Sequence, residues 1–400
     1  LSVISLVSYV LTKVAVTVYA GGLVFQQVFG IKELWGIDFF WIAAIGLVVL
    51  TALYTIFGGM KSVLYTSVLQ TPILLLGSLI ILVLGFKELG GWDEMMRVCG
   101  AVTVNDYGDT MTNLIRSNDD ANFPWLGALI GSAIIGFWYW CTDQFIVQRV
   151  LSGKNEKEAR RGTIFGAYLK LLPVFLFLIP GMIAFALHQK YIGAGGEGFL
   201  PMLANGTANA DAAFPTLVAK LLPAGVKGLV VCGILAALMS SLASLFNSSA
   251  MLFTIDFYKR FRPETPEKKL VGIGQIATVV IVILGILWIP IMRSVGDVLY
   301  TYLQDVQSVL APGIAAAFLL GICWKRTSAQ GGMWGLIAGM IIGLTRLGAK
   351  VYYSNAGEVA DSTFKYLFYD MNWLFFCGWM FLFCIIVVIL SLIHISEPTR

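Results

Sequence analysis

The chain has 400 residues, 58% of them hydrophobic and 12% charged, with a formal net charge of +4. Soluble globular domains run at about 45–50% apolar and about 25% charged, so this composition and a mean hydropathy of +0.82 exclude one. The small net charge points to no nucleic-acid partner. The scattered cysteines, without a CxxC pair, and the isolated His188 and His394 exclude an ordinary metal site.

A membrane-crossing helix needs about 20 apolar residues, and about ten stretches meet that length. They are predicted at 1–28, 38–57, 63–86, 124–148, 161–187, 225–255, 268–296, 298–323, 331–350 and 372–390. The runs are continuous rather than alternating, which excludes a barrel. The fold class is therefore all-α and polytopic, and the expected location is the cell membrane, in contact with lipid. Lys/Arg-rich loops orient the chain. Arg149, Lys154, Lys157, Arg160 and Arg161 mark one face, joined by Lys259–Lys269 and by Lys325 and Arg326; that face is placed in the cytoplasm. The loop 87–123, with Glu88, Asp93, Glu94, Asp106, Asp109, Asp119 and Asp120, falls outside.

Polar residues inside apolar stretches are the candidates for a site, because each needs a cavity or a partner. Lys13 lies in the first stretch, where Thr12, Val14 and Ala15 suggest no ligand. In 124–148 the run Gly136-Phe-Trp138-Tyr139-Trp140-Cys141-Thr142-Asp143-Gln144 is either an interfacial aromatic belt or a cavity wall on which a sugar ring can stack. Lys170 lies about ten residues inside 161–187, near the midplane at about 1.5 Å per residue. It faces either a cavity or a buried carboxylate.

The outer loop 188–224 holds a GxGxxG match at Gly193–Gly198, without the strand that a dinucleotide site requires. It also holds an Asn205-Gly-Thr207 sequon. In 225–255, Ser240, Ser241 and Ser244 gather hydroxyls that suit either a polar helix contact or, with a main-chain carbonyl, a hard cation. Gln304 and Asp305 lie in 298–323, where Pro312-Gly313 is expected to interrupt the helix. Asp305 is expected to pair with Lys170, brace an ion pair or bind a cation. Gly331, Gly335, Gly339 and Gly343 form one face of 331–350, suited to close helix packing.

These pieces, in this order, resemble the solute:sodium symporter family, and within it the sodium/glucose cotransporter branch. The resemblance is carried by Tyr54–Ser62 with its Gly58-Gly59 pair and by Tyr139–Gln144 followed by Ile146–Arg149. Arg160-Arg161-Gly162 with Lys170, Ser240–Ser244, Gln304 and Trp324-Lys325-Arg326 add to it. It implies a partial LeuT-type fold, two inverted five-helix repeats with sodium and substrate meeting at mid-membrane. Residues 1–86 would be the last three helices of the first repeat, 87–123 an extracytoplasmic loop and 124–323 the second repeat. Residues 324–390 would add two helices, and 391–400 resemble non-native sequence. The helices that supply the remaining sodium and sugar contacts would precede Leu1, so the chain by itself should not transport.

The resemblance further implies sodium-driven uptake of a sugar, such as glucose or galactose, or of a polyol, and no enzymatic step. Tyr139 would gate and stack on the sugar, with Trp140 beside it. Lys170 and Gln304 would bond its hydroxyls, while Ala237, Ser240 and Ser241 would hold Na+. Gly136 replaces a frequent polar residue of the branch. Ser67 stands where members with a second sodium site carry an acid, which favours one sodium per cycle. No obligate protein partner is implied. The alternative is the same fold moving an amino acid, a carboxylate or a vitamin. A membrane enzyme would need a nucleophile–base pair, and the sequence offers none.

Overall fold

The computed structural model describes residues 1–203, 206–295, 299–355 and 360–394. Among them, nine helices are long and apolar enough to cross a membrane. A shorter apolar segment, Phe39–Leu53, is the first part of one longer helix and accounts for the tenth predicted stretch. α1 (Ser2–Phe29) ends at Gly30, whose φ of 66° closes the helix in a left-handed cap that a side chain would disfavour. A hairpin follows, β1 (Glu33–Leu34) against β2 (Ile37–Asp38), with Trp35 and Gly36 both at positive φ in its turn. Asp38 then starts α2 (Phe39–Leu89) by accepting the Phe40 N–H at 2.9 Å.

α2 was expected as two spans parted at Gly58-Gly59, and it runs on as one helix. Glycine weakens a helix by about 1 kcal/mol but leaves its N–H and C=O groups free to continue the ladder. The side chains of 54 and 56–63 lie outside the described residues. The segment after α2 carries α3 (Trp92–Gly100) and a knot in which the Asn105 amide bonds Asp109 at 2.8 Å and Asp120 at 3.3 Å. The Asn105 hydrogen bond holds the Asp109 carboxyl below the usual carboxylate range.

Beyond it come α4 (Trp125–Thr142), α5 (Gln144–Leu151) and α6 (Glu156–Leu169). The predicted stretch 124–148 is therefore broken at Asp143, which is extended (ψ 117°) and caps α5. α7 (Ile179–Gly193) follows a π-turn at Val174–Leu178. His188, expected in a loop, is buried in α7, where its Nδ1 accepts the Leu200 N–H at 3.0 Å. Gly198 packs against that imidazole, and the next α-helix begins only at α8 (Ala213–Leu221). Asn205 lies outside the described residues.

α9 (Ala224–Phe261) packs along α2, with Gly77 and Gly233 at the contact. α10 (Glu267–Val295) precedes α11 (Leu299–Cys323). Asp211, just before α8, accepts the Leu299 N–H with both oxygens at 3.1 Å, and burial pushes its carboxyl up from the usual range. α11 does not break at Pro312: the helix continues through it, and Gly313 is used for packing. The lost N–H removes one ladder bond, which α12 (Ala329–Asn355) and α13 (Trp373–His394) compensate by clasping α11.

The glycine face does what its spacing predicts. Gly339 meets the Gly313 backbone, Gly343 meets Val309, and Gly331 and Gly335 meet Val388. The main core joins α1, α2, α4, α9 and α11 through Tyr9, Phe40, Trp138, Phe246 and Tyr302. A second core at one end of the bundle holds Leu89, Met95, Leu187 and Leu217.

Candidate functional site

Three separate elements bring the four predicted solute-contact residues to one place. The last turn of α4 is π-helical, Trp138–Thr142, a local widening that often accompanies functional sites. It presents Tyr139 and Trp140 edge to face, ring centroids 5.2 Å apart. Lys170 caps the C-terminal end of α6 and lays its ammonium 5.1 Å from the Trp140 ring centroid, within cation–π reach. Gln304, one turn into α11, donates to the Tyr300 hydroxyl at 2.8 Å.

Tyr139, Trp140, Lys170 and Gln304 all line one cavity of about 360 Å³. That size falls in the range of small-molecule sites. The aromatic pair forms part of the cavity wall. Sequence reasoning missed Ser132, Tyr300, Gln307 and Trp373, which complete the lining. Tyr300 and Gln307 could have been found as the positions one turn before and three residues after Gln304 on the same helical face. Nothing local marks Ser132 or Trp373. Gly136 also lines the cavity, and a Cβ added there would meet nothing, so the missing side chain leaves open space. None of the lining residues is acidic.

Lys13 belongs to a different arrangement. It sits in the π-helical turn Tyr9–Val14 of α1 and forms a buried ion pair with Asp143 at the α4–α5 break. Tyr9 donates to the other Asp143 oxygen at 2.8 Å and accepts the Phe145 N–H at 3.0 Å. The Lys13 ammonium also lies 5.2 Å from the Tyr139 ring centroid, so this polar knot underlies the aromatic wall.

Asp305 does not pair with Lys170. It faces α12, where Lys350 forms a short ion pair with it and Arg346 lies at 3.5 Å. The signal was available, since Arg346 and Lys350 stand one turn apart in an otherwise apolar helix and must find a counter-charge.

The serine group of α9 is separate from the cavity lining. Ser240 is buried and its Oγ lies 2.6 Å from that of Ser67 on α2. Ser244 donates to the Ser240 carbonyl at 3.0 Å and receives Arg149 of α5. Gln148 donates to the Ser244 carbonyl at 3.2 Å. Ala237 and Ser241 are half-buried on the same helix. Hydroxyls of Ser67, Ser240 and Ser244 thus meet between α2, α5 and α9, together with the Arg149 guanidinium and the Gln148 amide.

Known proteins can be set beside this geometry. The profile described as the sodium:solute symporter family matches residues 1–339. The Homo sapiens sodium/myo-inositol cotransporter 2 is 37% identical over 358 residues, spanning 87% of this chain and 52% of that protein. The Mus musculus sodium/glucose cotransporter 4 is 36% identical over 416 residues, spanning 100% of this chain and 58% of that protein. The chain thus spans about half the length of the curated relatives it matches. A solved substrate-bound, outward-open Na+-coupled sialic acid symporter superposes with a TM-score of 0.70 at 21% identity, over 99% of this chain and 74% of that one. The shared architecture is the LeuT-type helical fold. The chain belongs to the sodium:solute symporter family.

Proposed function

We propose that the protein is a secondary active transporter that couples inward sodium movement to uptake of a neutral sugar, such as glucose or galactose, or of a polyol. The observation that carries this reading is the cavity itself. Aromatic faces from Tyr139 and Trp140 suit the C–H face of a ring, and Lys170 and Gln304 offer hydrogen bonds to hydroxyls. The names of the relatives, cotransporters of sodium with glucose or myo-inositol, support it.

In this reading Ala237, Ser240 and Ser241 give half of a sodium site through one carbonyl and two hydroxyls. Ser67, neutral and already hydrogen-bonded to Ser240, favours a single sodium per cycle. Residues 1–86 close the first repeat, 87–123 are the outer loop, 124–323 are the second repeat and 324–390 add two helices. Sodium stabilises the outward-facing state, and solute above Tyr139 permits the rocking step. Each ligand shifts that equilibrium only by its differential affinity for the two states. No bond is made or broken.

Uptake into proteoliposomes carrying the complete reading frame of this chain tests the reading. Sodium-driven accumulation of a sugar or polyol supports it, and accumulation without a sodium gradient overturns it. Tyr139→Ala should raise the sugar concentration for half-maximal uptake by tenfold or more, a loss of about 1.4 kcal/mol. Sodium binding should change far less; equal losses in both would refute the stacking role. Ser241→Ala should raise the sodium needed for half-maximal uptake roughly fivefold, about one hydrogen bond's worth. An unchanged sodium dependence removes Ser241 from the ion site.

One observation favours a second reading. Lys170 faces the cavity with no acidic residue in the lining, a setting that also suits a carboxylate solute. The solved structural relative is described as a sialic acid symporter. Competition by glucose and galactose against proline and sialic acid separates the two.

A further inference from the structure

α11 has two polar faces that do different things. Tyr300, Gln304 and Gln307 line the cavity, whereas the neighbouring Asp305 points away into the contact with α12 and α13. Its carboxylate is buried and meets two cations, Lys350 and Arg346. Arg346 is itself wholly enclosed. It donates to the Met371 carbonyl at 2.7 Å and the Leu367 carbonyl at 3.4 Å, and its guanidinium lies 4.0 Å from the Phe376 ring centroid. One carboxylate on α11 is thereby tied to two residues of α12 and, through Arg346, to the turn that precedes α13.

The rest of the α11–α12 contact includes close approaches at glycines. Gly313 meets Gly339, and Gly343 lies against Val309. Small residues let the two backbones approach closely there. A 20° turn of α11 would sweep an atom about 6 Å from its axis by roughly 2 Å. That is enough to take the Gln304 amide out of hydrogen-bond range of anything in the cavity. An ion cluster on the far side of the helix resists such a turn, because rotation would separate buried opposite charges in a low-dielectric setting.

We propose that Asp305, acting through Lys350 and Arg346, is a positioning residue for the solute cavity. It fixes the rotation of α11 and with it the aim of Gln304 and Tyr300. The idea rests on the reading of that cavity as the sugar site, and two separate readouts keep the claims apart.

The first readout is uptake by the complete protein, normalised to its surface abundance. Asp305→Asn should raise the sugar KM about tenfold and leave the sodium dependence within twofold, while Asp305→Glu should retain most of the wild-type value. Lys350→Gln keeps the Asp305–Arg346 pair and serves if Asp305→Asn does not fold; its KM should rise about threefold. A fall in abundance or maximal rate alone, with KM unchanged in every folded variant, would mean that the cluster only braces the fold. It would overturn the proposal.

The second readout needs no substrate. With Cys141, Cys232 and Cys323 replaced by serine, Gln304→Cys is labelled by a membrane-impermeant methanethiosulfonate reagent. Adding Asp305→Asn or Lys350→Gln should change the labelling rate severalfold. An unchanged rate would overturn the proposal. Wild-type protein that carries no sugar would defeat the sugar reading, yet the labelling result would still decide the role of Asp305.

Discussion

Lys13→Ala should lower the unfolding free energy by about 3–5 kcal/mol, because it strands a buried carboxylate rather than merely deleting a contact. The pair is enclosed, with Lys13 7% and Asp143 3% exposed. Asp143 does three jobs at once. It neutralises Lys13, accepts the Tyr9 hydroxyl and caps α5 by accepting the Phe145 N–H at 3.2 Å. Losing the cation leaves a charge whose only compensation is two neutral donors, in surroundings lined by Tyr9, Trp138 and Phe145. The double variant Lys13→Met with Asp143→Asn should recover most of the loss, since it removes both charges and keeps a side chain able to cap α5. Thermal unfolding of purified protein in detergent checks both. A Lys13→Ala protein as stable as the wild type, or a double variant no better than the single, would end the account.

Gly343→Leu is the second large effect. A Cβ at Gly343 would stand 2.6 Å from the Val309 carbonyl oxygen and 2.6 Å from Val309 Cγ1. Backbone cannot step aside as a side chain can, so α11 and α12 must separate, and overpacking of this kind costs about 1–3 kcal/mol or more. The same helix supplies its own control. A Cβ at Gly348 meets nothing, so Gly348→Ala should be neutral or stabilise α12 by about 0.5–1 kcal/mol through helix propensity. Opposite signs at Gly343 and Gly348, read from unfolding temperatures, are the expected result. Equal effects would show that glycine content, not the interface, sets the response.

The spans were legible in the sequence because bilayer thickness imposes a length that composition reveals directly. Lys170 and Gln304 were legible for a related reason: a polar group within an apolar helix must find water, a ligand or a partner, and both reach the cavity. Breaks were harder to read. Pro312-Gly313 looked like an interruption, but losing one N–H does not end a helix held between α12 and α13. The real break, at Asp143, comes from a side chain that caps α5, and such a cap looks like any other aspartate until its partner on α1 is known. Partners were the least legible feature. Asp305 had several basic residues to choose from, and only packing decides for Arg346 and Lys350 over Lys170.

The discontinuity at Asp143 has a mechanical side. α4 lies against α11 and α13, whereas α5 is fastened to α9 through Gln148 and Arg149. These two attachments meet at one residue whose backbone is already extended. The angle between the two groups is therefore set at this residue, whose N–H bonds the Trp138 carbonyl and whose carbonyl accepts from Ile146 and Val147. An unbroken rod would have to surrender ladder hydrogen bonds worth about 1 kcal/mol each for the same bend. Lys13 ties that same residue to α1, so three groups of helices take their bearings from one side chain.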